Sequence, residues 1–142
     1  CLNVERLCLS VISSGHCFRI TDYATSYAKD RIQFGQPISQ FQVIQHKLVD
    51  MLIASETARQ ATWRVASLMD QGENPVRETS IAKILSSESN VKCADIGLQV
   101  MGGAGYSSEY MMEMYYRDCR VGPIGGGSNE IQRNIIAKQM QI

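Results

Sequence analysis

The stretch VRETSIAKILSSESNVKCADIGLQVMGGAGY, residues 76–106, is a long helical run that stops in glycine. Its small residues Ala82, Ser86, Ser87, Ser89 and Ala94 make a face suited to close approach by other helices. Glycine is unfavourable inside a helix, so Gly102, Gly103 and Gly105 mark the end of this one near Val100. Upstream, the turn Gln71-Gly72-Glu73-Asn74-Pro75 separates it from a helix that starts near Gln40. That helix carries Phe41, Ile44, Leu48, Leu52, Ser55, Ala58, Thr62, Val65 and Met69 at helical spacing. Earlier still, a helix runs from about Val4 to Arg31, with Leu7, Val11, Ser14 or Gly15, Phe18, Asp22, Thr25 and Ala28 three and four residues apart. It ends at Phe34-Gly35-Gln36-Pro37. Downstream, a shorter helix is expected over Glu109 to Arg117 and a last one over Ser128 to Gln141. No segment alternates with period two, so no sheet is expected. The chain is predicted to be all-α: one domain over residues 1–142, an up-down four-helix bundle with an additional short helix.

Composition removes several function classes. Fourteen basic and 14 acidic residues balance to zero, which gives no electrostatic case for nucleic acid or an anionic membrane. No apolar run approaches the roughly 18 residues of a membrane span, so no insertion is expected. Cys1, Cys8, Cys17, Cys93 and Cys119 are odd in number, lie mostly among apolar residues and lack metal-ligand spacing. They are expected to be reduced, small core residues of an intracellular protein, with no metal site. His16 and His46 sit in helical runs without partner spacing. The start, Cys1-Leu2-Asn3-Val4-Glu5-Arg6, is neither an initiator methionine nor a signal peptide, which points to a fragment of a longer chain.

Eight of the 11 glycines lie between Gly97 and Gly127, in two clusters. Gly125-Gly126-Gly127 leads through Ser128 into the last helix. Consecutive backbone N–H groups at a helix start make a site for phosphate or an oxyanion, whereas a plain helix-entry turn needs only Gly and Ser. Three glycines in a row carry an entropy cost that the plain turn does not require, which favours a ligand. The cluster Gly102-Gly103-Ala104-Gly105 lacks dinucleotide-fingerprint spacing and follows a helix, so taken alone a helix C-terminus accounts for it slightly better than a ligand site. Arg31 and Gln33 suit a phosphate or flavin contact, and a surface arginine favoured by the helix dipole is the equal alternative. Glu5-Arg6 opens the first helix, where an acidic residue is ordinary unless a substrate lies against it.

Taken together, these elements resemble the C-terminal helical domain of the acyl-CoA dehydrogenase family. The likeness is carried by RIQFGQPI (31–38), Phe41-Gln42, QVMGGAGY (99–106), Tyr116-Arg117-Asp118 and GSNEIQR (127–133), five weak motifs in the family's order. It implies FAD-dependent α,β-dehydrogenation of an acyl-CoA thioester to the trans-2-enoyl-CoA. It also implies an electron-transfer flavoprotein as acceptor, a homo-oligomer (tetramer or dimer), and the bacterial cytoplasm or the mitochondrial matrix as location. The flavin contacts it implies are Arg31 and Gln33, Phe41 and Gln42 across a subunit interface, Gln99, Val100, Met101, Gly102 and Gly103 to a neighbouring subunit's FAD, and Ser128, Asn129 and Glu130.

One departure from the family pattern is informative. Many members place the catalytic glutamate two residues before the Ser/Thr of the last motif, and here that position is Gly126. Isovaleryl- and long-chain-type members place it early in the first helix, before an arginine, and Glu5-Arg6 matches. The resemblance therefore implies Glu5 as base, with Asn3, Arg6, Gly126 and Gly127 at the substrate. Arg6 would order the site, and Gly126 would present its N–H to the thioester oxygen. The isolated fragment is expected to bind FAD poorly and not to turn over. The alternatives are a non-catalytic FAD- or CoA-binding oligomerisation module, or a relative of the acyl-CoA oxidase or nitroalkane oxidase type.

Overall fold

The computed structural model describes residues 2–142, so the reading of Cys1 lies outside the described residues. The elements are α1 (Leu2–Asp30), β1 (Ile32–Gln33), β2 (Gln36–Pro37), α2 (Gln42–Asp70), α3 (Val76–Met101), α4 (Gly103–Tyr106), α5 (Met112–Asp118) and α6 (Asn129–Met140). α1 and α3 run parallel with α2 returning between them. Asn3 on α1 meets Asn74 just before α3, whereas Ile20 lies against Gly97 near the end of α3. α6 runs back along α3, with Asn129 against Lys83 and Ser87 and with Ile136 and Met140 near Arg77 and Glu78. This is the expected up-down bundle, and α5 lies across its upper half, Tyr115 meeting His16 and Tyr23 edge to face.

The interior of α1 is small and polar rather than apolar. Its buried residues are Asn3, Arg6, Ser10, Ser13, Ser14, Cys17, Ile20, Thr21, Ala24 and Ala28. The expected stripe through Leu7, Val11, Phe18, Asp22 and Thr25 therefore sits to one side of the true one; Val11 is exposed, and of the pair Ser14 or Gly15 it is Ser14 that is buried. Some of these hydroxyls are satisfied by the carbonyl four residues back, as Ser10 Oγ is by Arg6 O at 2.9 Å. Thr21 Oγ1 donates to Cys17 O at 2.7 Å and Ser55 Oγ donates to Met51 O at 2.8 Å. The apolar centre is Cys17, Ile20, Ala24, Met51, Ala54, Cys93, Ala94, Met101, Met112, Tyr115 and Cys119. A hydrogen bond with Cys93, together with burial, pushes the Cys17 thiol far above its ordinary value, so it stays an inert core group. Cys8 departs from the core reading and is exposed on α1.

A second correction concerns the sheet. Ile32 pairs with Pro37 and Gln33 with Gln36 in a two-stranded antiparallel hairpin. Phe34 (φ 54°) and Gly35 (φ 81°) supply the two left-handed turn positions that a tight hairpin loop demands. Two residues per strand are too few for alternation to register, so only the Phe-Gly pair signals it.

Gly97 is a packing glycine: a Cβ there would lie 2.8 Å from Met112 Cε and 3.1 Å from Ile20 Cγ2. Gly15, on the solvent side of α1, has nothing within 4 Å of the same point. Gly97→Val should destabilise the protein by about 1–3 kcal/mol through overpacking. Gly15→Ala should stabilise it by about 0.4–1 kcal/mol through unfolded-state entropy. Denaturant unfolding of the intact protein checks both signs.

Candidate functional site

Two groups of the expected site residues form, at opposite ends of α1. The 25 residues from Arg6 to Arg31 separate them by about 37 Å of helix. At the far end, Arg31 and Gln33 share a cleft of about 720 Å³ with Tyr27, Val100, Met101, Gly102 and Gly103. Here the two motifs come together because α1 and α3 are parallel and end side by side. Gly102 breaks α3 at φ 59°, ψ −135°, a conformation that excludes most side chains, and the chain restarts as α4. Val100 and Met101 are buried in the core, so they meet the cleft with little more than backbone. Gln99 is exposed at the end of α3. Phe41 caps α2 and packs edge to face on the exposed Phe34 (6.0 Å), and Gln42 is exposed beside it; both lie outside the cleft lining.

At the other end, the start of α1 meets the glycine loop. Arg6, 9% exposed, donates from Nε to Gly126 O at 3.3 Å and from Nη1 to Asn3 Oδ1 at 3.2 Å. Asn3 in turn donates from Nδ2 to Asn74 Oδ1 at 2.9 Å, which ties α1 to the turn before α3. Glu5, next to this arginine, is exposed in the first turn of α1. Gly126 (φ 64°) and Gly127 (φ 88°) are both left-handed. A Cβ at Gly126 would fall 2.5 Å from Leu9 Cδ1, so α1 already occupies the space a side chain there would need.

The loop is held from beneath as well. Gln132, fully buried, donates from Nε2 to Gly126 O (3.2 Å) and Gly127 O (3.1 Å). Ser128 caps α6, accepting from Ile131 N at 3.5 Å. Backbone N–H groups at the helix start, with the Ser128 hydroxyl, hold the exposed Glu130 carboxyl below its ordinary value. Asn129 faces inward: its Oδ1 accepts from Lys83 Nζ at 2.9 Å and from Ser87 Oγ at 3.2 Å, and its Nδ2 donates to Glu88 Oε1 at 3.3 Å.

Lys83, Gln132 and Leu9 are the residues that sequence reasoning missed. Lys83 shares the small-residue face of α3 with Ser86 and Ser87, where a lysine is conspicuous. Gln132 follows Asn129 by one helical turn. Lys83 is 1% exposed, and no carboxylate among the described residues pairs with it. Burial lowers its pKa, the nearby Glu130 pulling the other way and Arg6 adding to the lowering. Among the described residues no group of His, Cys, Asp and Glu is placed to hold a metal ion, and no helix is long and apolar enough to cross a membrane.

Because folding lowers the Lys83 pKa from its ordinary 10.5, the unfolded chain binds more protons just below that pH. Stability contributed by this group therefore rises as pH increases through the lowered folded value towards 10.5. Lys83→Met should abolish that rise, which paired denaturant titrations of wild type and variant across the alkaline range will show.

Comparison with known proteins matches this geometry to a family. The family model described as acyl-CoA dehydrogenase, C-terminal domain, covers residues 1–141. Human mitochondrial short-chain specific acyl-CoA dehydrogenase is 39% identical over 136 residues, 96% of this chain and 33% of that protein. An acyl-CoA dehydrogenase of Bacillus subtilis is 40% identical over 139 residues, 98% of this chain and 37% of that protein. The butyryl-CoA dehydrogenase structure from Megasphaera elsdenii superposes with a TM-score of 0.97 at 30% identity, covering 99% of this chain and 37% of that one. The chain thus spans about a third of the length of the curated relatives it matches.

Proposed function

This chain belongs to the acyl-CoA dehydrogenase family, as its C-terminal domain, and from that premise we propose that it serves FAD-dependent oxidation of an acyl-CoA thioester to the trans-2-enoyl-CoA. The observation that carries the reading is the contact of Arg6 and Leu9 with the Gly126 loop. It brings the first turn of α1 against the position at which many members carry the catalytic carboxylate, while leaving no room for a side chain at Gly126 itself.

Glu5 is the base that takes the α-proton. Arg6, braced by Asn3, fixes the adjacent loop and puts positive charge beside it. As the α-proton leaves, negative charge grows on the thioester oxygen, and donors aimed at it in advance lower the barrier without reorganising. The N–H groups of Gly126, Gly127 and Ser128, none with an acceptor among the described residues, are those donors.

The residues present suit FAD at both ends of α1. Arg31 offers a cation for phosphate beside the open backbone of Gly102 and Gly103, in a cleft of about 720 Å³. Gln33 lines the same cleft, whereas Gln99, Phe41 and Gln42 lie outside its lining. At the other end Ser128 and Glu130 stand at the α6 start, with Asn129 holding that start in place. Bound there, the flavin would accept the hydride from the β-carbon. Two contact groups about 37 Å apart along one helix are more than one flavin on one chain can use. This favours a homo-oligomer, tetramer or dimer, in which one copy completes another's site. An electron-transfer flavoprotein is the proposed acceptor, and the bacterial cytoplasm or mitochondrial matrix the proposed location. Lacking most of the length of its relatives, the isolated chain should hold FAD poorly and not turn over.

Glu5→Gln in the intact, FAD-loaded protein should lower kcat/KM for acyl-CoA by about 10²–10⁴-fold, the usual contribution of a general base, with flavin content unchanged. Activity equal to wild type would reject Glu5 as base. Loss of acyl-CoA oxidation in the wild type, with FAD bound, would favour the non-catalytic module instead.

A further inference from the structure

We propose that Gln132 is a positioning residue that sets which way the Gly126 and Gly127 peptide groups face, holding their carbonyls inward so that the next N–H groups face out as an anion cradle. The inference rests on reading this loop as the oxyanion contact of the dehydrogenation. Its geometry nevertheless stands on observations independent of Glu5.

Gln132 Nε2 donates to two consecutive carbonyls, Gly126 O at 3.2 Å and Gly127 O at 3.1 Å, and Gly126 O also receives Arg6 Nε at 3.3 Å. A trans peptide is planar, so its N–H points opposite to its C=O. Tying both carbonyls toward α1 and α6 therefore turns the N–H groups of Gly127 and Ser128 the other way. Neither N–H has an acceptor among the described residues, whereas Gly125 N donates to Val121 O at 2.7 Å and Asn129 N to Pro123 O at 2.9 Å. Gly126 N also lacks an acceptor among the described residues, so three consecutive N–H groups, Gly126 to Ser128, are open, and Gln132 orients the last two through the carbonyls of the same peptides.

The chemistry of the side chain supports a role beyond filling space. Gln132 is fully buried, yet its Oε1 is left without a partner among the described residues. A methionine would occupy similar volume without a buried, unpaired oxygen; what it could not do is donate to both carbonyls. Contact is tight, since a Cβ at Gly127 would lie 2.8 Å from Gln132 Nε2. Left-handed φ at both glycines leaves these peptides otherwise free to rotate, so the loop needs an external hold.

The test uses the intact, FAD-loaded protein with Gln132→Met and the near-isosteric Gln132→Glu. Both should lower kcat for acyl-CoA oxidation by about 10–100-fold, less than loss of an oxyanion donor outright, with KM changed far less. Gln132→Glu should recover as pH falls: its carboxylate repels the two carbonyls, while the protonated acid can donate to one of them. Burial raises the pKa of such an acid, and Arg6 from α1 and Lys83 from α3 lower it, with Glu88 on α3 and Glu130 and Arg133 on its own helix exposed further out. Acid recovery absent from wild type and from Gln132→Met supports positioning, because a merely structural glutamine predicts none. Wild-type kcat at every pH in both flavin-loaded variants would overturn the proposal. Crystal structures of the two variants give a readout apart from catalysis. Rotated Gly126 and Gly127 carbonyls support the proposal, and carbonyls still facing inward overturn it, even if Gln132→Met folds poorly and only Gln132→Glu crystallises. Should the wild type fail to oxidise any acyl-CoA, the dehydrogenation reading fails, and these structures still decide the role of Gln132.

Discussion

The close, parallel packing of α1 on α3 is the constraint on which both candidate sites depend. Their buried residues are mostly small: Ser10, Ser13, Ser14, Cys17, Thr21 and Ala24 on α1, and Ala82, Ser86, Ser87, Cys93, Ala94 and Gly97 on α3. Small side chains let the helix backbones approach, and burying Ile20, Met51 and Met112 around the seam contributes about 1.5–3 kcal/mol per side chain. Because the two helices run in the same direction, their starts are neighbours and so are their ends. One end thereby joins Arg31 to the Gly102 turn; the other lets Arg6 reach the Gly126 carbonyl, 120 positions away in sequence. A seam loosened at Gly97 would disturb both ends, although Gly97 touches neither.

At the loop end, glycine alone does not make a donor site. Gly126 and Gly127 allow a left-handed path, but that freedom also permits the peptide planes to turn over. Gln132 and Arg6 remove the ambiguity by engaging the carbonyls, and Lys83 fixes the adjoining helix start through Asn129. The amide of Asn129 joins a buried ammonium on one side to Glu88 on the other, so its oxygen and nitrogen cannot exchange places without losing both bonds. A polar network of this kind is costly to build in a low dielectric and rigid once complete.

Much of the fold was legible because long helices interrupted by Gly and Pro announce themselves: Gly72 to Pro75 and Gly102 fall at real helix ends. The face of α1 was not legible, since hydroxyls satisfied by their own helix can be buried without any hydrophobic mark. Leu7, Val11 and Phe18 looked like a stripe because they were the apolar residues at hand, and the true seam runs through serines. The glycine clusters pointed to real turns, and the arginine and glutamine near Gly35 pointed to a real cleft. Lys83 escaped notice because its role exists only where α3 meets α6, and Gln132 because its partners are backbone carbonyls of the loop ahead of its helix; no spacing within either helix encodes these relations.

Under the proposed assignment of the base to Glu5, the position of Leu9 accounts for a carboxylate on α1 rather than on the loop. Leu9 lies one helical turn beyond Glu5 and reaches across to Gly126. A glutamate at Gly126 would need Leu9 to retreat and would also have to accept φ 64°, two separate costs at one residue. A carboxylate at Glu5 meets neither: it sits in a regular helix, in a first turn that favours negative charge, with its side chain in open space. The same packing that denies the loop a side chain leaves its backbone bare for a ligand. In the proposed mechanism loop and helix divide the work, one supplying N–H donors and the other the base.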